Sequence, residues 1–165
     1  MNFKCYDVVE IQGKRYVVTE VISYQEFIIE KTVNYTLNDE MYNNELGTHK
    51  GAKNWTEYGL MPVDGEDKKW LTIVNGEKDY CTFSETVLRS TPPKGYKLYD
   101  KGLQRVMSVE GESKARSGDK ADYKEYRSIK KDKTYVFFME DWHGGLKDQA
   151  QGERIRLSDV HRRRD

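Results

Sequence analysis

The amino-acid sequence predicts an all-β fold. Antiparallel hairpins and meanders form a small barrel or two packed barrel-like sheets, with at most one short helix. Three observations carry this. β-branched and aromatic residues recur in short runs, glycine-containing turns separate the runs, and no apolar period of 3.6 residues is sustained anywhere. Asn75-Gly76, between two such runs, is the strongest two-residue hairpin signal in the chain.

The first half is read in order. Tyr6 to Ile11 is a strand rich in β-branched residues, and Gln12-Gly13-Lys14 is a turn. Arg15 to Ser23 returns, completing a hairpin. Phe27 to Leu37 is a third strand, because Phe27, Ile29, Val33, Tyr35 and Leu37 recur at even spacing. The β-branched residues among them disfavour a helix there. Asn38 to Asn54 is polar and lacks a sustained period, so it is a long loop with room for one helical turn. Trp55 to Val63, Trp70 to Val74 and Asp79 to Phe83 then form a three-stranded meander, turning at Asp64-Gly65 and Asn75-Gly76.

Thr91-Pro92-Pro93-Lys94-Gly95 interrupts the pattern and is the best internal boundary. Residues 1–160 are therefore one β-rich domain, divisible into halves 1–90 and 96–160, with 161–165 a frayed basic tail. In the second half, Leu103 to Val109, Asp122 to Ile129, Tyr135 to Asp141 and Gly152 to Val160 read as strands. Lys130 to Lys133 and His143-Gly144-Gly145 are turns. Trp55-Thr56-Glu57-Tyr58 is echoed by Tyr123-Lys124-Glu125-Tyr126, each followed by a charged turn and an aromatic strand. One shared tetrapeptide does not establish a duplication, since antiparallel hairpins in general look like this.

Composition bounds the rest. The chain has 165 residues, 36% hydrophobic and 34% charged, yet 12 Tyr, 5 Phe and 3 Trp set it apart from disordered chains. Formal net charge is zero, but residues 1–90 hold 10 Lys/Arg against 15 Asp/Glu and residues 91–165 hold 18 against 13. The plainer account is two faces of one domain, or self-association by charge; the sharper one is a basic binding patch in the second half. Cys5 and Cys81 are expected as buried free thiols. The N-terminal residues lack the apolar run of a signal peptide, and the longest apolar stretch, Tyr135 to Met139, is far too short to span a bilayer. A cytoplasmic location is the expectation.

Chemistry finds little purchase in these motifs. The candidate nucleophiles are Cys5 and Cys81 and the candidate bases His49, His143 and His161, but no spacing pairs them and no Gly-X-Ser-X-Gly elbow is present. Glu140, Asp141 and His143 are close in sequence, but on a strand Glu140 and Asp141 face opposite sides. No Cys-X-X-Cys, His-Glu-X-X-His or glycine-rich phosphate motif occurs. The chain is expected to be no enzyme and to hold no cofactor and no metal.

Binding remains. Lys124, Tyr126, Arg127 and Lys130 belong to a basic segment with aromatic interleaving, the type of surface that binds single-stranded nucleic acid in several barrels. Asp119, Asp122, Glu125 and Asp132 lie in or beside the same segment, so a solvated hairpin is preferred and nucleic acid is disfavoured as a partner. An unknown protein partner or self-association is preferred instead. The candidate docking surface is Trp55, Tyr58, Trp142 and His143, beside the Asn38 to Asn54 loop, because a Trp at a strand end can bury one face and present the other. Trp70 is assigned to the core. The competing account has Trp55 and Trp142 plugging the ends of the barrel.

Val8-Val9-Glu10, Gly13, Tyr16, Val18, Trp55-X-Glu57-Tyr58 with Leu60, Lys69-Trp70-Leu71 and Gly76 form a recognisable set. With Glu140-Asp141-Trp142 and Gly152-Glu153-X-Ile155, it resembles the bacterial family of domains of unknown function numbered 4178. The resemblance runs from about Tyr6 to Val160. The chain departs from the pattern at Phe27 to Asn54, read as an insertion. The resemblance implies no established activity and no cofactor. It also implies a genomic neighbourhood of envelope-stress and small membrane proteins, and so an accessory role linked to envelope stress.

Overall fold

β-branched residues flank Gln12-Gly13, and both turn residues adopt left-handed backbone (φ 53° and 79°). Such a turn matches the right-handed twist of the strands it joins. In the computed structural model, which describes residues 1–29, 47–48 and 53–163, this turn links β1 (Val8–Ile11) to β2 (Lys14–Ile29). The second and third expected strands are thus one 16-residue strand as far as Ile29. Polar Gln25 and Glu26 do not interrupt it, because both pair on to a neighbouring strand. β3 (Gly47–Thr48) pairs with the end of β2. The rest of the expected strand to Leu37, and of the Asn38 to Asn54 loop with His49, lies outside the described residues apart from Lys53 and Asn54.

β4 (Asn54–Pro62), β5 (Lys69–Val74) and β6 (Tyr80–Thr86) form the expected meander. β7 (Lys97–Gly111), β8 (Lys120–Lys130), β9 (Lys133–Trp142) and β10 (Lys147–Arg156) form a second one. A 3-10 turn, Leu157–Asp159, is the one helical element among the described residues, and β11 (Val160–Arg163) follows it. His161, Arg162 and Arg163, expected in a frayed tail, pair with β1.

β10 pairs with β6, and β7 returns to pair with β2, so β2-β4-β5-β6-β10-β9-β8-β7 closes into an antiparallel barrel of eight strands. Closure leaves the barrel no free edge. The connection through Pro92-Pro93 joins β6 to β7 past β10, β9 and β8; the backbone N–H of Val87 donates to Gln149 as it leaves.

Side chains alternate along each strand, and here both faces are used. Tyr58, Leu60, Leu71, Ile73, Cys81 and Phe83 point away from the barrel axis into a filled core with Val9, Ile11, Leu157 and Val160. β1, the 3-10 turn and β11 cover that core. Tyr16 meets Phe83 edge-on at 5.8 Å within it, and each such buried apolar side chain contributes about 1.5–3 kcal/mol. Alternate residues on the same strands, Trp70 and Thr72 on β5 and Thr82 and Ser84 on β6, point into the barrel. A bulge between Val18 and Glu20 sends Val18 to the filled core and Glu20 to the barrel interior. Gly111 (φ 82°) sits against this bulge; a Cβ there would lie 2.2 Å from the Thr19 carbonyl oxygen.

Candidate functional site

The barrel interior is hollow. Its cavity, about 830 Å³, falls within the roughly 300–1,000 Å³ of small-molecule sites. It reaches the surface where the β7–β8 and β9–β10 connections meet, since Leu146 and His143 line it and are solvent-exposed.

Aromatic rings build its walls. Trp55 stacks on Tyr24 at 5.6 Å and meets the edge of Tyr123 at 5.6 Å; Tyr123 stacks on Phe138 at 5.7 Å. Trp142 tilts against Tyr24 at 6.4 Å. Two indole N–H groups are satisfied within the wall: Trp70 donates to Thr86 Oγ1 and Trp142 to Asp148 Oδ2, both at 3.1 Å. All three tryptophans of the chain therefore border one space.

Carboxyl groups stand among the rings. Glu20 fits because its cross-strand partner is Gly59, where a Cβ would lie 2.5 Å from Glu20 Cγ. The Lys68 ammonium binds the buried Glu20 carboxylate and lies over the Trp70 ring, 4.3 Å from its centroid. Toward the other end, Lys53 pairs with Asp100 and lies 5.8 Å and 5.7 Å from the Trp55 and Tyr123 ring centroids. The Tyr123 hydroxyl is 2.5 Å from Glu26 Oε2 and 3.2 Å from Asp100 Oδ2. Desolvation, the hydrogen bond to Glu26 and the charge of Asp100 all raise its pKa.

Glu57 and Glu140 also line the lumen. Tyr24 Oη donates to Glu57 Oε1 at 3.4 Å, and Gln104 Nε2 donates to Glu140. Burial, then the charges of Glu140 and Glu20, push Glu57 well above the ordinary carboxyl range. Burial pushes Glu140 up to about 7, with the Gln104 hydrogen bond opposing and Asp148 adding to the rise. Burial likewise raises Tyr24, with Glu57 and Glu140 adding to it.

Three of the four residues singled out from the sequence meet in this space: Trp55, Trp142 and His143 line it. They do so from within rather than on an open face, for Trp55 is only 6% exposed. Tyr58 is on the opposite face of β4, buried edge-on against Phe3 at 5.3 Å. Trp70, assigned to the core, is half-buried on the cavity wall. His143 Nε2 is 3.3 Å from Asp122 Oδ2. Of the basic segment, Lys124 and Lys130 are exposed, while Arg127 pairs with Glu125 at 2.5 Å and lies 3.5 Å from the Tyr99 ring centroid. Tyr126 leans on Phe137.

Glu20, Glu57, Glu140, Tyr24, Tyr123, Lys53, Lys68 and Gln104 were not singled out as site residues from the sequence. One signal was available. Glu20 in Val-Val-Thr-Glu-Val-Ile, Glu57 in Trp-Thr-Glu-Tyr and Glu140 after Val-Phe-Phe-Met are charges set in otherwise apolar strands. The tetrapeptide echo also has a geometric counterpart: Trp55 and Glu57, like Tyr123 and Glu125, turn inward, and Trp55 touches Tyr123 across the lumen.

Among the described residues, no three His, Cys, Asp or Glu side chains converge as a metal site would require. Cys81 faces the filled core, and burial pushes its thiol up to about 12. Cys5, expected to be buried, is half-exposed. No described helix is long and apolar enough to cross a membrane. The model of one family, described as a domain of unknown function (DUF4178), matches residues 5–157, and the chain belongs to that family. No curated protein and no solved structure matches it.

Proposed function

We propose that this DUF4178 barrel is a non-catalytic binding module that takes a small molecule with an apolar or aromatic body into its lumen. The observation that carries the reading is a cavity of about 830 Å³ walled by Trp55, Trp70, Trp142, Tyr24, Tyr123 and Phe138. Ordinary cores are close-packed, so a hollow with a few placed polar groups has the character of a ligand site. The rim at His143 and Leu146 is where a protein partner would meet the module, and a cytoplasmic accessory role is part of the same proposal. The envelope-stress link is carried by the family resemblance. The nucleic-acid alternative draws less support, because Arg127 is engaged by Glu125 and Tyr99.

Tryptophan fluorescence tests the reading, since all three indoles border the lumen. Titration with the neutral dye N-phenyl-1-naphthylamine is expected to quench them saturably, with energy transfer to the dye. Ala150 sits between Thr86 and Phe138 on the wall. Ala150→Phe fills the lumen and is expected to weaken dye binding by about tenfold, equivalent to about 1.4 kcal/mol. Absence of saturable binding, or binding indifferent to Ala150→Phe, would overturn the proposal.

A further inference from the structure

The chain as a whole is neutral, with 28 basic and 28 acidic side chains, but the lumen is not. Among the described residues, seven carboxyl side chains and three lysines line it or its mouth; Glu112, Lys114 and Asp148 are exposed at the mouth and Glu125 is paired with Arg127, which leaves Glu20, Glu57, Asp119 and Glu140 against Lys53 and Lys68. In a confined space of low dielectric, such an imbalance is felt more strongly than on a surface.

Two of the lysines are already committed, and they show what the wall binds well. The Lys68 ammonium sits on a carboxylate and an indole face at once, and Lys53 sits on a carboxylate between two rings. Among the described residues, Glu57 and Glu140 have no comparable neighbour. β4 and β9 are four strands apart in a ring of eight, so these carboxyls come from opposite walls. Facing Glu57 are Tyr24 and Glu20 from β2, Glu140 from β9 and Lys68 from the β4–β5 turn, and Lys68 acts on it less than either carboxyl does. Facing Glu140 are Tyr24 from β2, Glu57 from β4, Gln104 from β7, Tyr123 from β8 and Asp148 from β10.

A second observation concerns the residue that holds Glu140. Gln104 is 0% exposed, its amide is directed at Glu140, and its Oε1 has no hydrogen-bond partner among the described residues. Buried amide oxygens are rarely left unpaired, and this one belongs to the amide that holds the Glu140 carboxyl. Both features ask for the same thing: a group that donates several hydrogen bonds and carries positive charge, which is what an ammonium is.

We propose that the lumen ligand carries an organic ammonium group, held between Glu57 and Glu140, with its apolar or aromatic body against the surrounding rings. The inference rests on the lumen being a binding site at all. It excludes anions, which the same carboxylates repel, and it ranks a neutral isostere below the amine, because the alcohol leaves the carboxyls uncompensated.

Isothermal titration calorimetry with three matched probes tests it: 1-naphthylmethylamine, 1-naphthalenemethanol and 1-naphthylacetate. At pH 8 the amine is expected to bind at least about tenfold more tightly than the alcohol, and the carboxylate most weakly. An alkylammonium stays charged from pH 5 to 8, so the preference reports on the protein's carboxyls. It is expected to shrink toward pH 5, and amine binding at pH 6 is expected to release protons, measurable with buffers of different ionisation enthalpy. The double variant Glu57→Gln/Glu140→Gln is expected to erase the preference for amine while retaining alcohol binding. Should the double variant not fold, the probe ranking and its pH dependence in the native protein decide. Equal or tighter binding of the alcohol or carboxylate overturns the inference. So does failure of all three probes in a protein that still binds N-phenyl-1-naphthylamine, which leaves the binding-barrel reading standing. Failure of that dye as well brings down both.

Discussion

Trp55 is where packing and site coincide. It stacks on Tyr24 and abuts Tyr123, so truncating it removes contacts that hold two walls of the barrel together. Trp55→Ala is expected to cost about 3–5 kcal/mol in urea denaturation. Trp142→Ala, at the half-buried rim, is expected to cost less than half of that. A loss below about 1 kcal/mol for Trp55→Ala would contradict the packing described. Glu140 gives a pH prediction whose sign follows from its raised pKa. Between the ordinary carboxyl value of 4.5 and about 7 the native protein holds a proton that the unfolded chain releases, so this group's contribution to stability falls as pH rises through that window. Glu140→Gln is therefore expected to match the native protein near pH 4 and to exceed it at pH 8. The gain is about 3 kcal/mol at most, since one pKa unit is about 1.4 kcal/mol and the lumen keeps some solvent contact. Melting curves at the two pH values check it; a variant less stable at pH 8 than the native protein would refute the account of Glu140.

At the level of elements, β2 is the hinge of the architecture. Its first residues pair with β1, its later ones with β7, and β4 follows it along most of its length. The Thr19 bulge lets one strand serve two interiors, and Gly111 permits β7 to approach it. Gly111→Ala places a Cβ 2.2 Å from the Thr19 carbonyl oxygen and requires a left-handed backbone from alanine. It is expected to destabilise by more than about 2 kcal/mol, whereas Gly76→Ala, with open space around it, is expected to cost only about 1 kcal/mol for its positive φ. Comparable losses at the two glycines, measured by chemical denaturation, would show that the bulge is not the constraint described.

For the whole molecule, two interiors share the strands β2, β4, β5, β6 and β10, so neither can open without exposing the other's backing. Unfolding followed by tryptophan fluorescence, which reports on the lumen, and by far-ultraviolet circular dichroism, which reports on the sheet, is expected to give coincident urea transitions. Separated midpoints would mean the lumen loosens independently of the filled core. The strands themselves were legible in the sequence, because β-branched runs and turns such as Gln12-Gly13, Asn75-Gly76 and His143-Gly144-Gly145 act locally. For the same reason Trp55, Trp142 and His143 could be singled out, as an aromatic at a strand end and a turn are local features. The union of two predicted strands in β2 was not legible, because Gln25 and Glu26 are tolerated through pairing on both sides with distant segments, β7 some eighty residues away and the start of β4 some thirty. Nor was the use of both faces of one sheet, since alternation shows that two faces differ without showing what each one meets. Which interior is filled and which is hollow depended on closure of β7 onto β2. That long-range pairing gathers Glu20, Glu57 and Glu140, isolated charges in the sequence, around a single space, and no local pattern encodes the distance between residues brought together only by closing a ring.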